Sequence, residues 1–442
     1  MRRLAVTTAL VAALAGGTLT AAGPASKGDA DTAAHHGTNI LVVGIDRRAG
    51  MSADEQHRLH VGGKQCDCTD VMMVVHLAED GRRMSVVSVL RDSYVEFAEH
   101  PHPPGARTSG KINEAFRRGG ADLAKRTVER ATGLRIDHYL ETDFRGFVGV
   151  VDRLGGATVC TDKLLRDNSA GLRLTPGTHL IDGKKALRYV RARHVNPPGD
   201  GGRVRRQQRL LAGLIGKLRE AGALDGPVAT LRTVAALRDL VRTDSATSLA
   251  DLVALGSAVG RLRPEQTEFA NVPVADVDHF VPGAGSTVLW DRERAAALWS
   301  ALREDRPLTG DPRIQPQGGT RVGVPLSAIH LRASDDEVGF ALLRAGFTVL
   351  SGPPHHAPPP HTDRTVIYYD PVRARYTPAL TAALPGARLV PVRGHGRVFD
   401  IHVGSGGRTV VPVIYDRSGV EGPPATGDKL LCPTAAATTL SP

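Results

Sequence analysis

The chain has 442 residues, 41 % of them hydrophobic, enough for a well-buried core and, at roughly 100–200 residues per domain, for two or three domains. Only 4 % are aromatic, which leaves too few stacking side chains for a single-strand nucleic-acid binder, so the formal charge of +10 points to another polyanion. Arginine supplies most of that charge and suits phosphate, although high-GC coding also favours arginine, so clustering has to decide.

Met1-Arg2-Arg3 and the small, apolar residues 4–22 read as an export segment, either a signal peptide cleaved after Ala22 or Ala25 or a retained signal anchor near the ~20 residues that span a bilayer. In both cases the rest of the chain is expected outside, at the outer face of the cell membrane or in the cell wall. Residues 26–37 form a polar tether. Residues 39–44 are a short β-branched run bounded by turn residues and read as a buried strand. Residues 71–77 and 85–90 are two further strands, joined through the hairpin residues Glu79-Asp80-Gly81. Helical patterns follow at 112–118 and 122–131, the second stopped by Gly133. Then come a strand at 138–144, a helix at 147–154 ending on Gly155-Gly156, a strand at 157–160, and helices at 182–190 and 203–220.

Interleaved strands and helices predict an α/β fold over residues 38–303, an α-β-α sandwich around a mixed central sheet. Residues 230–303 read as mainly helical, with a strand-like break at 268–273. Residues 304–319, rich in Pro, Gly and Asp, read as a linker. A small C-terminal α/β domain is expected at 320–405. In it a strand (321–324), helix (335–345), strand (347–350) series is echoed by 365–369, 371–384 and 388–391. Between the two halves, His355 and His356 in the run PPHHAPPP are expected in solvent rather than on a metal. Residues 406–442 read as a strand and a disordered tail.

Charged residues converge on this frame. Asp46 follows the first strand and Asp70 precedes the second, so an antiparallel pair carries both to one sheet edge; the next hairpin brings Arg91 there too. Singly, each reads as a turn-capping Asp or a solvated Arg; together they read as a site. Arg191 and Arg193 fall at a helix C-terminus, where cations are favoured. Asp200-Gly-Gly-Arg203 then opens the next helix, with Arg203, Arg206 and Gln207 on one face and Leu210, Leu211, Leu214 and Leu218 in an apolar stripe. Arginines at a helix start oppose its dipole unless an anion is present, and a diphosphate would be that anion. Lys111 is a further candidate phosphate contact. Of the four cysteines, Cys66 or Cys68 is expected to bond Cys160, since Cys66-Asp67-Cys68 lacks neighbouring His or Cys partners for a metal.

The blocks NILVVGIDRR, TDVMMVVHL, SVVSVLRDS, GKINEAF, GLRIDHYLETDFRGFVGVVDRLGG, IDGKKALRYVRARH and DGGRVRRQQRLL, in this order over residues 38–303, resemble the LytR-CpsA-Psr family. Residues 320–405 resemble the LytR C-terminal domain. The resemblance implies a phosphotransferase that moves a glycopolymer from a polyprenyl-pyrophosphate carrier to peptidoglycan through a phosphodiester. It also implies Mg²⁺ at the pyrophosphate, a hydrophobic lipid groove in the α/β core, and contact with the membrane through the N-terminal segment or the lipid. Asp46 and Asp70 fall on the family's acidic positions, as metal ligands and candidate base. Arg91, Arg191, Arg193, Arg203 and Gln207 fall on its pyrophosphate-binding positions, and Arg48, Lys111 and Arg206 join them as candidate contacts. Leu90 stands where the family has proline, and the Cys66–Cys68 loop is an addition. Two other readings use the same residues: a lipid-pyrophosphate phosphatase, and a non-enzymatic wall protein holding anionic polymer. Nucleic acid is not an expected partner.

Overall fold

Thr38–Ile45 (β1) alternates its side chains between two cores, which is why a continuous apolar run is needed here. Leu41 and Val43 pack toward Val128, Leu298 and Trp299, whereas Ile40 on the opposite face packs toward Ala212, Ile215 and Val259. Helices therefore cover both faces of the sheet to which β1 belongs. A computed structural model of the chain describes residues 36–48, 50–62, 66–101, 105, 107–195, 199–315, 319–356, 363–416 and 421–432. The expected export segment and nearly all of the tether lie outside the described residues.

Two units divide the chain. The first takes the described residues of Met1–Val274, Asp278–Gln315 and Gly419–Pro442; the second takes Ala275–Val277 and those of Pro316–Ser418. In the first unit, β1 pairs antiparallel with Thr69–Leu77 (β2), which pairs antiparallel with Met84–Ser88 (β3). The strand His138–Thr142 runs parallel to β1, and Thr267–Asn271 runs parallel to β3. With Arg242–Thr243 and Ala425–Thr426 at the edges, the sheet has seven strands and is mixed, as expected.

Of the helices, Ala53–Leu59 (α1) and Glu114–Thr132 (α2) come first; α2 joins the two expected helical runs across a kink at Gly119-Gly120, where Gly120 has φ +65°. Phe144–Arg153 (α3) starts at Asp143, whose side chain accepts the Gly146 N–H at 2.9 Å, and Gly183–Arg191 (α4) starts likewise at Asp182. Gly199–Glu220 (α5) begins a full turn before the expected start.

Three expectations need correction. The stretch after residue 230 also holds the strands Val274–Val281 and Gly285–Trp290, whose period-two pattern and Pro282-Gly-Ala-Gly285 turn outweigh the helical reading. Residues 304–315 do not act as a linker: Leu308 and Ile314 are buried in the first unit's core, and Glu268 accepts the Leu308 and Thr309 N–H groups. Nor is the described part of the tail disordered. Ala425–Thr426 completes the central sheet, Leu430 and Leu431 pack against the α5 face of it, and Cys432 bonds Cys160. Cys66 bonds Cys68 instead, since Cys160 is taken by Cys432 of the returning tail, a partner that no local pattern discloses.

In the second unit the strands run in the order Thr348–Val349, His330–Ala333, Val398–His402, Val366–Tyr369, Arg388–Pro391. The strand entering the first helix, Asp336–Arg344, is thus His330–Ala333, while Thr320–Val322 pairs with Val413–Tyr415 apart from it.

Candidate functional site

The register of β1 and β2 sets one rim of the site. Gly44 faces Val71 and Ile45 faces Thr69 across a local irregularity, and the Asp46 N–H bonds the Cys68 carbonyl at 3.0 Å. Asp46 and Asp70 therefore emerge at the same sheet edge, as the hairpin reading expected. From β3 the Val89 N–H bonds the Met72 carbonyl, and the chain then delivers Arg91, whose Nη1 donates to Asp70 Oδ1 at 2.5 Å. Arg91 also lies 3.4 Å from Asp92, and Lys111 lies 3.1 Å from the same carboxylate. Asp92 was not singled out from the sequence, although its place beside Arg91 was a usable signal.

Arg48 is placed differently from most of the other predicted contacts. It is buried, and its Nε and Nη2 each donate 2.6 Å bonds to the two Asp46 oxygens, so it clamps the acid rather than lining the cavity.

The second rim comes from α4 and α5. Arg191 ends α4, donates to the His60 carbonyl at 2.5 Å and stacks its guanidinium over Phe144, 5.3 Å from the ring centroid. Burial draws its pKa below the ordinary arginine value, while the nearby carboxylates of Asp70 and Asp46 act in the opposite sense. Arg193 follows one residue past the helix end. Its backbone N–H and that of His194 bond Asp167 Oδ2 at 2.7 and 2.9 Å. Burial acts to raise the Asp167 pKa, but these N–H bonds, with that of Ala170, hold it down at about 2. Asp167 was missed in the sequence because its partners lie 26 and 27 residues away.

Arg203 and Gln207 line the cavity from α5; Arg206 does not. Arg206 Nε donates to the Tyr189 carbonyl at 3.1 Å and its Nη2 bonds the Ala192 carbonyl, so it caps the last turn of α4. Because α5 starts at Gly199, these arginines stand a turn inside the helix, and the expected conflict with its N-terminal dipole is smaller than the sequence implied.

Asp46, Asp70, Arg91, Lys111, Arg191, Arg193, Arg203 and Gln207 all border one cavity of about 830 Å³. Its wall turns apolar along each contributing element. On β1 it runs from Asp46 back to Val42, on β2 from Asp70 on to Met73, and on α5 from Gln207 on to Leu214. Four strand residues and seven helix residues cover about 13 Å and about 10 Å respectively, so the apolar wall extends away from the charged rim. Asn113 also borders the cavity, with its buried side-chain oxygen lacking a hydrogen-bond partner among the described residues. It was quoted within the GKINEAF block but given no role.

The donor set suits a hard divalent cation. Two carboxylates at one edge, each with lone pairs beyond those used by Arg48 and Arg91, match a Mg²⁺ ion held by one or two carboxylates and completed by phosphate oxygens and water. Cys66 and Cys68, bonded to each other, border the cavity beside these acids and leave no thiolate to compete.

The first unit is thus a mixed-sheet α/β domain with a cavity charged at one end and apolar beyond. Residues 17–304 match the LytR_cpsA_psr family, and the chain belongs to it. It is 35 % identical over 269 residues to the probable cell wall biosynthesis protein LcpB of Corynebacterium glutamicum, a match covering 60 % of this chain and 61 % of LcpB. It is 32 % identical over 188 residues to the polyisoprenyl-teichoic acid–peptidoglycan teichoic acid transferase TagU of Bacillus cereus, covering 42 % of this chain and 55 % of TagU. The chain thus spans less than two thirds of the length of these curated relatives. Among solved structures, protein gbs0355 from Streptococcus agalactiae shares the fold, with a TM-score of 0.50 at 22 % identity over 62 % of this chain and 89 % of that one. Residues 316–418, the bulk of the second unit, lie outside the family match. Among the described residues no helix is long and apolar enough to cross a membrane.

Proposed function

We propose that this chain transfers a glycopolymer from a polyprenyl-pyrophosphate carrier to peptidoglycan, forming a phosphodiester and releasing polyprenyl phosphate at the extracytoplasmic face of the membrane. The observation that carries this reading is the cavity whose charged rim continues into an apolar wall, since a lipid-linked anion uses both. The name of the relative TagU is consistent with such a donor and acceptor.

In this reading Arg91, Arg191, Arg193, Arg203, Gln207 and Lys111 neutralise and orient the pyrophosphate, and the apolar wall takes the start of the prenyl chain. Phosphoryl transfer depends mainly on such positioning and charge stabilisation. Asp46, fixed through both oxygens by Arg48, and Asp70 hold Mg²⁺, which when bound supplies charge at the phosphate oxygens. The acceptor hydroxyl oxygen attacks the glycan-side phosphorus, the bond from that phosphorus to the bridging oxygen breaks, and polyprenyl phosphate leaves with the electron pair. The acid not engaged with the ion takes the hydroxyl proton; where that is Asp70, its side chain is 26 % exposed against 10 % for Asp46, and Arg91 occupies only one of its oxygens in a hydrogen bond.

The test is product analysis with a synthetic lipid-pyrophosphate glycan, Mg²⁺ and peptidoglycan. Polymer attached to peptidoglycan through phosphate is expected from the wild type, and Asp70→Asn should reduce it on the order of 10²-fold or more. Inorganic or glycan phosphate released at a rate indifferent to acceptor would instead support the phosphatase reading, and undiminished function in Asp46→Ala and Asp70→Ala the non-enzymatic one.

A further inference from the structure

The second unit gathers a separate set of ligating side chains. His356, His395 and Asp400 each offer one ligand atom, and these atoms lie within 4.8 Å of one another. The side chains of His395 and Asp400 are 3 % and 1 % exposed, and His395 Nε2 stands 3.6 Å from Asp400 Oδ2. That separation is long for a hydrogen bond but close to the ~3.3 Å expected between two donors that each sit ~2 Å from one tetrahedral ion. The His356 ring meets the His395 ring edge-on, centroids 4.6 Å apart, and packs on Tyr368 at 4.9 Å. His356 is therefore folded in against its neighbours, not turned to solvent as the sequence reading expected.

An independent feature points to a cation at the same place. Asp400 is almost wholly enclosed, and its Oδ2 accepts a hydrogen bond from the His355 backbone N–H at 2.9 Å. Among the described residues its Oδ1 is buried without a hydrogen-bond partner. An enclosed carboxylate oxygen with no donor carries a desolvation cost that a bound cation would offset.

We propose that His356, His395 and Asp400 bind a divalent transition-metal ion of the zinc class through two imidazole nitrogens and one carboxylate oxygen. Imidazole with carboxylate suits zinc and its neighbours, whereas Mg²⁺ and Ca²⁺ prefer oxygen ligands throughout. Three protein ligands leave a fourth position for water. The ion ties the loop bearing His356 to the central strand Val398–His402, and the His355 N–H holds the ligating carboxylate from behind. Nothing here depends on the donor-site reading, since all three ligands belong to the second unit.

The full chain, prepared without a histidine tag and stripped with EDTA, is titrated with Zn²⁺ against a chromogenic chelator. One tight equivalent is expected, retained in the Asp46→Ala/Asp70→Ala double variant and weakened ~100-fold or more in both His356→Ala and His395→Ala. Co²⁺ in place of Zn²⁺ should give the intense visible absorption of a four-coordinate site in the wild type. The absence of a tight equivalent in the wild type, or an equivalent unaltered in either histidine variant, overturns the proposal. Where a variant loses its far-ultraviolet circular dichroism, the wild-type Co²⁺ spectrum decides, and one like that of hexaaqua Co²⁺ also overturns it.

Discussion

Arg203 and Arg206 stand three residues apart on one helix, both buried, yet only Arg203 borders the cavity. Arg206→Met should leave two carbonyls at the end of α4 without their charged donor and lower stability by about 2–3 kcal/mol in urea unfolding. Arg203→Met should do the reverse, reducing polymer transfer on the order of 10²-fold with a smaller change in the unfolding midpoint. Equal stability losses in the two variants would contradict this division. Asp167 offers a residue-scale test of pH. Its folded pKa, about 2, lies below the ordinary 3.8, so the unfolded chain binds the proton first as pH falls. Its stabilisation is complete above pH ~4 and is lost as pH drops through about 2, whereas Asp167→Asn should lack that part of the acid slope and be about 2 kcal/mol less stable at neutral pH. His76 adds to the slope at milder pH: burial lowers its pKa below 6.5 despite its contact with Asp305, so stability begins to fall below about pH 6.5.

At the scale of elements, the rim built by β1, β2 and β3 was legible because it needs only two antiparallel pairings. The Glu-Asp-Gly turn dictates the β2–β3 hairpin that brings Arg91 to Asp70, and the antiparallel pairing of β1 with β2 adds Asp46 to the same edge. The two sides of α5 were not separable, since residues at i, i+3 and i+4 share a face by spacing while the carbonyls that claim Arg206 belong to α4. The tail was illegible for the same reason. The Ala/Thr/Pro-rich composition of the tail after Gly422 says nothing about the sheet edge and the Cys160 thiol that await its residues 425–432. The Cys160–Cys432 bond closes a separation of 272 residues, so Cys160→Ser/Cys432→Ser should lower stability by about 2–4 kcal/mol. Cys66→Ser/Cys68→Ser, opening a separation of only 2 residues, should cost much less. Chemical unfolding of the two double variants under non-reducing conditions measures the difference, and peptide mapping of the unreduced chain checks the pairing.

For the whole molecule, the order of the units along the chain has a mechanical consequence. The first unit is interrupted by the second and then completed by the last described segment, so an apparent domain boundary near residue 315 is not a place to end the chain. Glu421 shows why. Its carboxylate, 2 % exposed, accepts from Arg294 Nη1 at 2.7 Å and from the Val274 N–H at 2.6 Å, and Arg294 is itself buried. Ending the chain at Gln315 removes that acid, an edge strand of the sheet and Cys432 together, and leaves the enclosed Arg294 charge with only the more distant Asp291 carboxylate at 3.6 Å. Loss of one partner of a buried pair alone costs about 3–5 kcal/mol. Replacing residues 316–418 by a flexible linker keeps all three features. The shortened chain should therefore unfold at markedly lower denaturant than the excised one, with Glu421→Gln in the full chain reproducing part of the loss. Equal midpoints for the truncated and excised chains would mean that the returning segment contributes nothing to the first unit.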